Sequence, residues 1–331
     1  MLPRVTVGIP FYNEEETLAG AIRSVFAQTQ SDWELILVDD GSTDGSLDIA
    51  RSVDDPRVRV VGDGQHRGLS ARLNQIVVLA SARLVARMDA DDLMHPERLR
   101  SQLSYLAKNP TVDVVGTGMF ILDGDDLPVA KRLAPVHPMS ALAALSRGCF
   151  IHASVMGRRE WFARYPYDSG CDGAEDRELW TRAFGRSTFS NLQGCYYYYR
   201  EYRSLGLRHC SRVCKLLAKV YRRNGPRLVG RGAVGYLSVR ECAKPLVYTA
   251  AVGLGLQQQL IRRRSCPLTP AEQHEAICGL EHIKAARLPA AGEAAVGLLR
   301  GEASLGHVPV AADGRRAVDA TGKTPAAVQS R

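Results

Sequence analysis

The chain has 331 residues, of which 45% are hydrophobic and 24% are charged, and its formal net charge is +8. These values fit a globular protein with a sizeable core and exclude a chain that is disordered throughout. The positive charge favours an anionic partner, such as nucleotide phosphates, anionic lipid headgroups or nucleic acid.

Two simple features narrow the setting of the protein. The first residues lead directly into a strand-like pattern, without the basic and apolar regions of a signal peptide, so we expect the protein to be cytoplasmic. Its 8 cysteines are scattered and show no CxxC pair typical of a zinc ribbon, which indicates free buried thiols.

Strand-like and helical patterns alternate from Val5 to about Thr117. Such alternation is typical of repeated βαβ units and of a mostly parallel sheet in an α/β fold. Residues 5–9 form the first predicted strand. A helix is predicted to follow, because Asn13 and Glu16 have the spacing of a capping box and apolar residues recur at helical spacing after them.

Two of the predicted strands end in acidic turns. Residues 34–38 form an apolar run that ends in Asp39 and Asp40, and the predicted strand 84–88 ends in the sequence DADD, residues 89–92. Ligands of open α/β sheets bind outside the carboxyl ends of the strands. Both acidic turns are therefore expected to line one crevice.

The remaining predicted elements complete the sheet and its helices. Pro96 is predicted to be the first residue of a helix, because proline fits that position well. The other predicted elements are strands at 58–61, 112–116, 188–192 and 196–199, and helices at 69–81 and 175–184.

The composition shifts in the last third of the chain, where Arg, Leu, Ala and Gly become frequent. We predict a catalytic domain over residues 1–205, a helical C-terminal extension over 206–300 and a flexible tail over 301–331. Residues 244–261 are mostly apolar, but the glutamines at 257–259 leave the apolar run too short to span a bilayer. This segment is predicted either to lie on a membrane surface or to pack on the domain.

The DADD turn carries three carboxylates, those of Asp89, Asp91 and Asp92. They would repel one another unless a cation or several hydrogen-bond donors neutralise them. Mg²⁺ or Mn²⁺ takes one or two protein carboxylates together with waters and phosphate oxygens, which suits a turn that presents a diphosphate. The alternative is a solvated acidic turn without a metal.

The turn after the second strand contains another group of polar residues. Capping of the following helix would explain Ser42 or Asp44. It does not explain Asp39 and Asp40, whose carboxylates could accept hydrogen bonds from a nucleotide base and its ribose. Tyr12 follows the first strand nearby, and its ring could stack on the base or pack in the core.

Taken together, these blocks resemble the family 2 glycosyltransferases with the GT-A fold over roughly residues 5–203. The resemblance depends on the order and spacing of the segments IPFYNEE, LVDDGSTDGS, GLSARLNQ, ARMDADDLMHPERLRSQ, IHASVMGRREW, AEDRELWTR and YYYREYR. It implies a Rossmann-like, mostly parallel sheet flanked by helices. It also implies metal-dependent, inverting transfer of a sugar from a nucleotide-diphosphate donor, with UDP favoured.

The implied acceptor is a saccharide or a lipid-linked saccharide in bacterial surface polysaccharide assembly. The place of action would then be the cytoplasm, with peripheral attachment to the inner face of the cytoplasmic membrane as an option. No polymerase-type QxxRW sequence follows the ED pair, so a processive synthase with its own channel is not expected.

The resemblance also implies roles for single residues. Asp176 is the implied general base, which takes the proton of the acceptor hydroxyl. Asp91 and Asp92 are the implied metal ligands. His152 and Glu175 are left between contact with the acceptor and a structural role. The implied donor-binding residues are Pro10, Tyr12, Glu14, Asp39, Asp40, Arg72, Asn74, Asp89 and Arg200.

Several of these roles are more specific. Tyr12 would lie against the base and Asp40 at its edge, while Asp39 supports the turn. Asp89 would face the ribose or the metal. Arg72 belongs to the sequence ARLN, where many relatives read ARN.

Other functions fit the sequence less well. A sugar nucleotidyltransferase would need a Gly-rich basic loop after the first strand, and a dinucleotide-binding oxidoreductase would need GxGxxG there, whereas the chain reads PFYNE. Nucleic-acid binding is not expected, because the basic residues are not interleaved with aromatic residues on a recognised module. The alternative is a non-catalytic nucleotide-sugar-binding or scaffold protein of a polysaccharide assembly complex. That alternative predicts loss of Asp91 or Asp176, and both are present.

Overall fold

The computed structural model describes residues 3–201, 207–253 and 265–290. Within these ranges, nine strands form one sheet with helices around it. The strands are β1 (Val5–Phe11), β2 (Trp33–Asp39), β3 (Val58–Gly62), β4 (Leu84–Arg87), β5 (Leu93–Met94), β6 (Val114–Leu122), β7 (Pro128–Arg132), β8 (Met156–Arg158) and β9 (Phe189–Arg200). The helices are α1 (Leu18–Phe26), α2 (Ser46–Arg51), α3 (Leu69–Leu79), α4 (Arg98–Lys108), α5 (Ala141–Arg147), α6 (Arg159–Arg164), α7 (Glu175–Ala183), α8 (Leu207–Gly253) and α9 (Pro270–Ala285).

The first half of the sheet is parallel. β1 pairs with β2 on one side and with β4 on the other, and β2 pairs with β3. β1 is buried along its whole length, as expected for a strand that is covered on both faces. α3 packs closely onto β1 at Gly8, where a Cβ atom would collide with the side chain of Ile76. The predicted α/β class is confirmed, and the carboxyl ends of β2, β1 and β4 meet at one edge.

The second half of the sheet is mixed. It continues from β4 through β8, β6 and β9 to β5, and β7 pairs with β6 at its side. β8 is antiparallel to both β4 and β6, whereas β9 is parallel to β6. The predicted mostly parallel arrangement therefore describes the strands up to β4, and the later strands add antiparallel pairings.

The predicted start of the first helix was wrong. α1 begins at Leu18 with Thr17 at the N-cap, and no side chain caps it. Asn13 and Glu16 form no capping box at this end. Asn13 instead adopts a left-handed backbone with φ 55°, and its Oδ1 accepts a hydrogen bond of 2.8 Å from the Thr43 N–H. A short polar side chain tolerates this conformation, so the residue joins two loops rather than opening a helix.

Two other boundaries also differ from the predictions. α4 begins at Arg98, with Glu97 at the N-cap, so Pro96 lies two residues before the helix. The predicted strands at 188–192 and 196–199 are parts of the single strand β9. Shifts in its register with β6 accommodate the extra residues between the two parts, as β-bulges do.

α8 is a helical hairpin. Gly230 has φ 79° and ψ 164°, which interrupts the helix. The Tyr221 hydroxyl donates a hydrogen bond of 3.2 Å to Glu241, although a straight helix would separate these residues by about 30 Å. Val234 also lies against Gly225. Residues 231–253 therefore fold back along residues 207–229, and α8 packs on α5 and α7.

α9 packs against strands β5, β6 and β9. Leu280 and Ile283 of α9 share a hydrophobic cluster with Leu93, Phe120 and Tyr198.

The predicted domain boundary at residue 205 stays a prediction. The predicted tail and residues 254–261 of the predicted surface segment 244–261 lie outside the described residues. No helix in the described ranges is both long and apolar enough to cross a membrane.

Cys149, Cys171, Cys195, Cys242, Cys266 and Cys278 are free, as predicted, but not all of the described thiols are buried. The buried thiols are those of Cys149, Cys171, Cys195 and Cys214, and the exposed ones are those of Cys242, Cys266 and Cys278.

Candidate active site

The acidic turn after β4 brings three carboxylates together. One carboxylate oxygen from each of Asp89, Asp91 and Asp92 lies within 4.8 Å of the others. Asp92 is fully buried, whereas Asp89 and Asp91 are partly exposed. The cluster is therefore closed on the side of Asp92 and accessible on the side of the other two.

The surroundings of Asp92 favour a bound cation. Its Oδ1 accepts a hydrogen bond of 3.0 Å from the Arg200 N–H, and its buried Oδ2 has no hydrogen-bond partner among the described residues. Burial, reinforced by the charges of Asp91 and Asp89, raises the pKa of Asp92 well above its usual range. A divalent cation would offset this repulsion and give Oδ2 a partner. The donor set thus fits Mg²⁺ or Mn²⁺.

Arg200 supports the acidic turn from within the protein. Its Nη1 donates a hydrogen bond of 2.8 Å to the backbone carbonyl of Asp91. Its Nε and Nη2 donate to the two carboxylate oxygens of Asp126, at 2.6 and 2.7 Å. A bidentate pair of this kind fixes the orientation of a guanidinium. Arg200 thus positions the turn, and its predicted contact with the donor stays a prediction.

Arg87, the last residue of β4, was missed by the sequence analysis. Its Nη2 lies 2.6 Å from Asp89 Oδ1, and its side chain is buried. Its charge also acts on Tyr167 and Glu175, which come from a distant part of the chain. The signal in the sequence is a basic residue at the end of a buried strand, directly before an acidic turn.

The N-terminus of α7 carries Glu175 and Asp176, two carboxyl groups in different surroundings. Asp176 is partly exposed, and its Oδ1 accepts a hydrogen bond of 2.5 Å from the Arg177 N–H. Glu175 is buried, and its Oε2 accepts a hydrogen bond of 2.6 Å from the Gly173 N–H. Burial, followed by the charge of Asp176, raises the pKa of Glu175 to about 7. Asp176 is thus the more accessible of the two groups.

A buried cluster joins the acidic turn to α7. His152 Nε2 lies 2.9 Å from the Tyr167 hydroxyl, and its Nδ1 lies 3.6 Å from Glu175 Oε1. Burial and the charge of Arg87 lower the pKa of His152 well below its usual range, so the ring is neutral at physiological pH. These contacts of His152 are internal, and contact with an acceptor stays a prediction.

Asn74, predicted on the donor side, is also bonded internally. Its Nδ2 donates a hydrogen bond of 2.9 Å to the Tyr167 carbonyl, and its Oδ1 accepts one of 2.8 Å from the Tyr167 N–H. Both ends of the amide therefore hold the backbone of Tyr167, which contacts His152. Asn74 thereby supports the buried cluster.

Asp40 lies under the loop that precedes α3. Its Oδ1 accepts hydrogen bonds of 2.8 Å from the Arg67 N–H and from Arg72 Nε. Its Oδ2 accepts one of 3.0 Å from the Gly68 N–H and lies 3.0 Å from His66 Nδ1. The carboxylate thus holds the loop, and contact with a base edge stays a prediction.

Arg72 fills the space beneath this loop. It is fully buried, and besides Asp40 it donates hydrogen bonds to Asp63, Gln65 and Gln75. Its guanidinium faces the interior in this structure. Arg72 therefore affects the edge of the sheet through Asp40 and the loop.

The end of β1 provides the exposed aromatic surface of this edge. Tyr12 is 43% exposed, and its ring centroid lies 4.4 Å from that of His66. Asp39 Oδ1 accepts a hydrogen bond of 3.0 Å from the Ser42 N–H within the turn after β2. Pro10 is buried within β1, and the Glu14 N–H donates to the Ser46 hydroxyl at 2.7 Å. Polar side chains from β1, β2 and β4 are thus brought to one edge.

The comparison with known proteins bears directly on this edge. The family model described as "Glycosyl transferase family 2" matches residues 6–165. EpsE of Bacillus subtilis (strain 168), which is named as a glycosyltransferase, is 35% identical over 206 residues, covering 60% of this chain and 73% of EpsE. The chain belongs to glycosyltransferase family 2. The family match contains the acidic turn of this glycosyltransferase and ends before α7.

Two further relatives of the glycosyltransferase match over shorter regions. WfgD of Escherichia coli, named UDP-Glc:alpha-D-GlcNAc-diphosphoundecaprenol beta-1,3-glucosyltransferase, is 32% identical over 131 residues, covering 40% of this chain and 51% of WfgD. The succinoglycan biosynthesis protein ExoO of Rhizobium meliloti (strain 1021) is 31% identical over 160 residues, covering 48% of this chain and 45% of ExoO. The chain spans about half the length of these two relatives.

Solved structures confirm the fold of the glycosyltransferase. The mannosyltransferase PcManGT from Pyrobaculum calidifontis, solved with GDP-Man and Mn²⁺, has a TM-score of 0.55 at 19% identity, covering 86% of each chain. TarS 1–349 of S. aureus, solved with UDP-GlcNAc, has a TM-score of 0.55 at 18% identity, covering 86% of this chain and 82% of the other. These similarities establish a GT-A fold.

Proposed function

We propose that this glycosyltransferase transfers a sugar, with inversion at the anomeric carbon, from a nucleotide-diphosphate donor to a saccharide or a lipid-linked saccharide. The observation that carries the proposal is the position of the buried Arg87. Its guanidinium contacts Asp89 in the acidic turn, and its charge also acts on Glu175 at the start of α7. This arrangement supports a metal-dependent donor site and an acceptor base that one buried network holds in place. Assembly of a bacterial surface polysaccharide, at the cytoplasmic face of the membrane, is the proposed context.

The acidic turn would hold the metal. Asp91 and Asp92 would be ligands of Mg²⁺ or Mn²⁺, and Asp89 would face the metal or the ribose. When bound, the cation would neutralise negative charge on the leaving diphosphate. Arg200 keeps the turn in position through its contacts with Asp126 and the Asp91 carbonyl.

The edge formed by β1 and β2 would bind the nucleoside. The exposed ring of Tyr12 would stack on the base, with Asp40 at the base edge, while Pro10, Glu14 and Asp39 shape the pocket. Arg72 and Asn74 would contribute indirectly, by holding Asp40 and Tyr167. UDP is the favoured nucleotide, since WfgD is named for UDP-Glc and TarS was solved with UDP-GlcNAc. PcManGT was solved with GDP-Man, so the nucleotide needs a direct test.

Asp176 would be the general base. Its carboxylate would accept the proton of the acceptor hydroxyl as that oxygen bonds to the anomeric carbon. The bond from this carbon to the diphosphate oxygen breaks at the same time, and its electron pair leaves with the diphosphate. Because the hydroxyl attacks from the face opposite the leaving group, the configuration inverts. The buried Glu175, whose pKa is raised to about 7, adds little charge beside the base below that pH.

Calorimetric titration with UDP-, GDP-, dTDP- and CMP-linked sugars, with and without Mn²⁺, tests the donor site. We expect one nucleotide class to bind only with the metal, and Asp91→Ala to abolish this binding. Asp54→Ala, which removes an exposed carboxylate elsewhere, should bind the donor as the wild type does.

A complete absence of binding would contradict the donor site and favour a scaffold role in a polysaccharide assembly complex. Metal-independent binding that survives Asp91→Ala would support a non-catalytic nucleotide-sugar-binding protein. Unfolding curves of each variant separate these outcomes from loss of the fold.

A further inference from the structure

The second half of α8 exposes an apolar face. Tyr236, Val239 and Leu246 are 68%, 71% and 74% exposed. Their spacing places them on one side of the helix. The opposite side is buried through Val234 and Leu237, which pack inside the helical hairpin and against α5. The exposed face is therefore not needed to hold the hairpin together.

The same helix concentrates the positive charge of the chain. Residues 207–253 contain ten Lys and Arg and a single acid, Glu241, so their net charge exceeds the +8 of the whole chain. Glu241 is itself paired with Arg240 and Lys244. Basic side chains that are exposed to solvent are those of Arg212, Lys215, Lys219, Arg222, Arg223, Arg227 and Arg231.

α8 also lies next to the catalytic edge. Val220 of α8 packs in one hydrophobic cluster with Cys171 and Ala174. Ala174 is the N-cap of α7 and directly precedes Glu175 and Asp176. A surface that held α8 would therefore lie close to the proposed acceptor base.

We propose that α8 docks on an anionic lipid surface through the face of Tyr236, Val239 and Leu246, with its exposed basic side chains against the headgroups. An amphipathic helix of this kind lies in the membrane interface, where apolar side chains leave water and cations meet anionic lipids. A nucleic acid would account for the charge but not for the apolar face. A second copy would bring two strongly positive helices together. The inference rests on the proposed function in one respect, because a lipid-linked acceptor would lie in the same lipid surface.

Sedimentation of the full chain with vesicles tests this docking, using phosphatidylcholine alone and phosphatidylcholine with phosphatidylglycerol. We expect binding to the anionic vesicles, weaker at high salt, and little binding to phosphatidylcholine alone. Combined replacement of Tyr236, Val239 and Leu246 by Ser should abolish it. The matched control is Val78→Ser on α3, an apolar side chain that is 82% exposed and lies outside α8.

Charge variants test the electrostatic part separately. Arg227→Gln with Arg231→Gln should lower the vesicle partition coefficient about fivefold for each basic side chain removed. Arg51→Gln with Lys108→Gln removes the same charge from exposed positions on α2 and α4 and should have a much smaller effect. Circular dichroism and unfolding curves would confirm that all variants are folded.

The proposal would be overturned if the wild type did not bind anionic vesicles, or if the triple serine variant bound them as well as Val78→Ser does. Self-association that the triple variant abolishes, without vesicle binding, would assign the face to a protein contact instead. Binding to an oligonucleotide, in the absence of vesicle binding, would show that the basic side chains of α8 bind nucleic acid instead. Because vesicles are tested without donor and donor is titrated without vesicles, failure of this inference is distinguishable from failure of the proposed function.

Discussion

Replacing Arg72 with methionine tests whether a buried guanidinium stabilises the proposed nucleotide-binding part of the site. Arg72 is fully buried, and its Nε lies 2.8 Å from Asp40 Oδ1. Removing one partner of a buried ion pair typically costs about 3–5 kcal/mol, because the other charge is left uncompensated. Asp40 keeps the N–H groups of Arg67 and Gly68, so we expect a loss near the lower end, about 3 kcal/mol.

Urea unfolding followed by tryptophan fluorescence would measure this loss. The control is Arg51→Met, which removes an exposed arginine on α2 and should change the free energy of unfolding by less than about 0.5 kcal/mol. Asp40→Asn and the double variant complete a cycle. If Arg72 acts through Asp40, the double variant should cost less than the sum of the single variants, by about 1 kcal/mol or more.

A cost below about 1 kcal/mol, or costs that simply add, would refute this account of Arg72. Calorimetry with the donor extends the test to function. We expect weaker donor binding, because the loop over Asp40 would lose its support. Unchanged donor affinity in a destabilised variant would show that the loop is not part of the donor site.

Three further predictions concern α7 and α9. Asp176→Asn should lower kcat about 10²- to 10⁴-fold in a sugar-transfer assay while donor affinity in calorimetry stays unchanged, and equal losses of both would contradict a base role. The folded chain binds the Glu175 proton more tightly, at a pKa of about 7 against the usual 4.5, so wild-type stability should fall as pH rises through this window. Glu175→Gln carries no ionisable group at this position, so its free energy of unfolding should not fall in this way. Unfolding at several pH values should show the variant becoming more stable relative to the wild type by up to roughly 3 kcal/mol as pH rises. A difference in free energy of unfolding that does not change with pH would contradict the raised pKa. Gly279→Val should lower the free energy of unfolding in urea by about 1–3 kcal/mol and make α9 more susceptible to protease. The reason is that a Cβ atom would collide with the Tyr198 hydroxyl and come close to His95. Ala271→Val, at an exposed position of α9, is the control.

Much of the first half of the fold was predictable from local pattern. β2 is a short apolar run that ends in acids, and β4 is followed, after Met88, by the acidic turn, so the sequence predicted both turns at the carboxyl edge of a parallel sheet. The details at helix starts were less predictable. Asn13 has the composition of a cap, but its side chain bonds to Thr43 in another loop.

The sequence predicted a set of site residues but not the contacts that these residues make. The sequence indicated that Asp91, Asp92 and Asp176 belong to one site. It did not indicate that Arg87 links the acidic turn to Glu175, because nothing local marks a partner almost ninety positions away. Likewise Asp126, in the turn before β7, pairs with Arg200 at the end of β9.

The sequence by itself determined the family, the parallel units and the acids at the ends of strands, because these depend on periodicity and on neighbours within a few residues. Only the tertiary structure decided which polar groups remain available to a ligand. Asn74 and Arg72 are bonded within the protein, whereas Asp92 keeps a buried oxygen without a partner among the described residues. The physical reason is that a buried polar group must be satisfied by whatever the fold brings beside it, and those partners come from segments that only the packed chain places in contact.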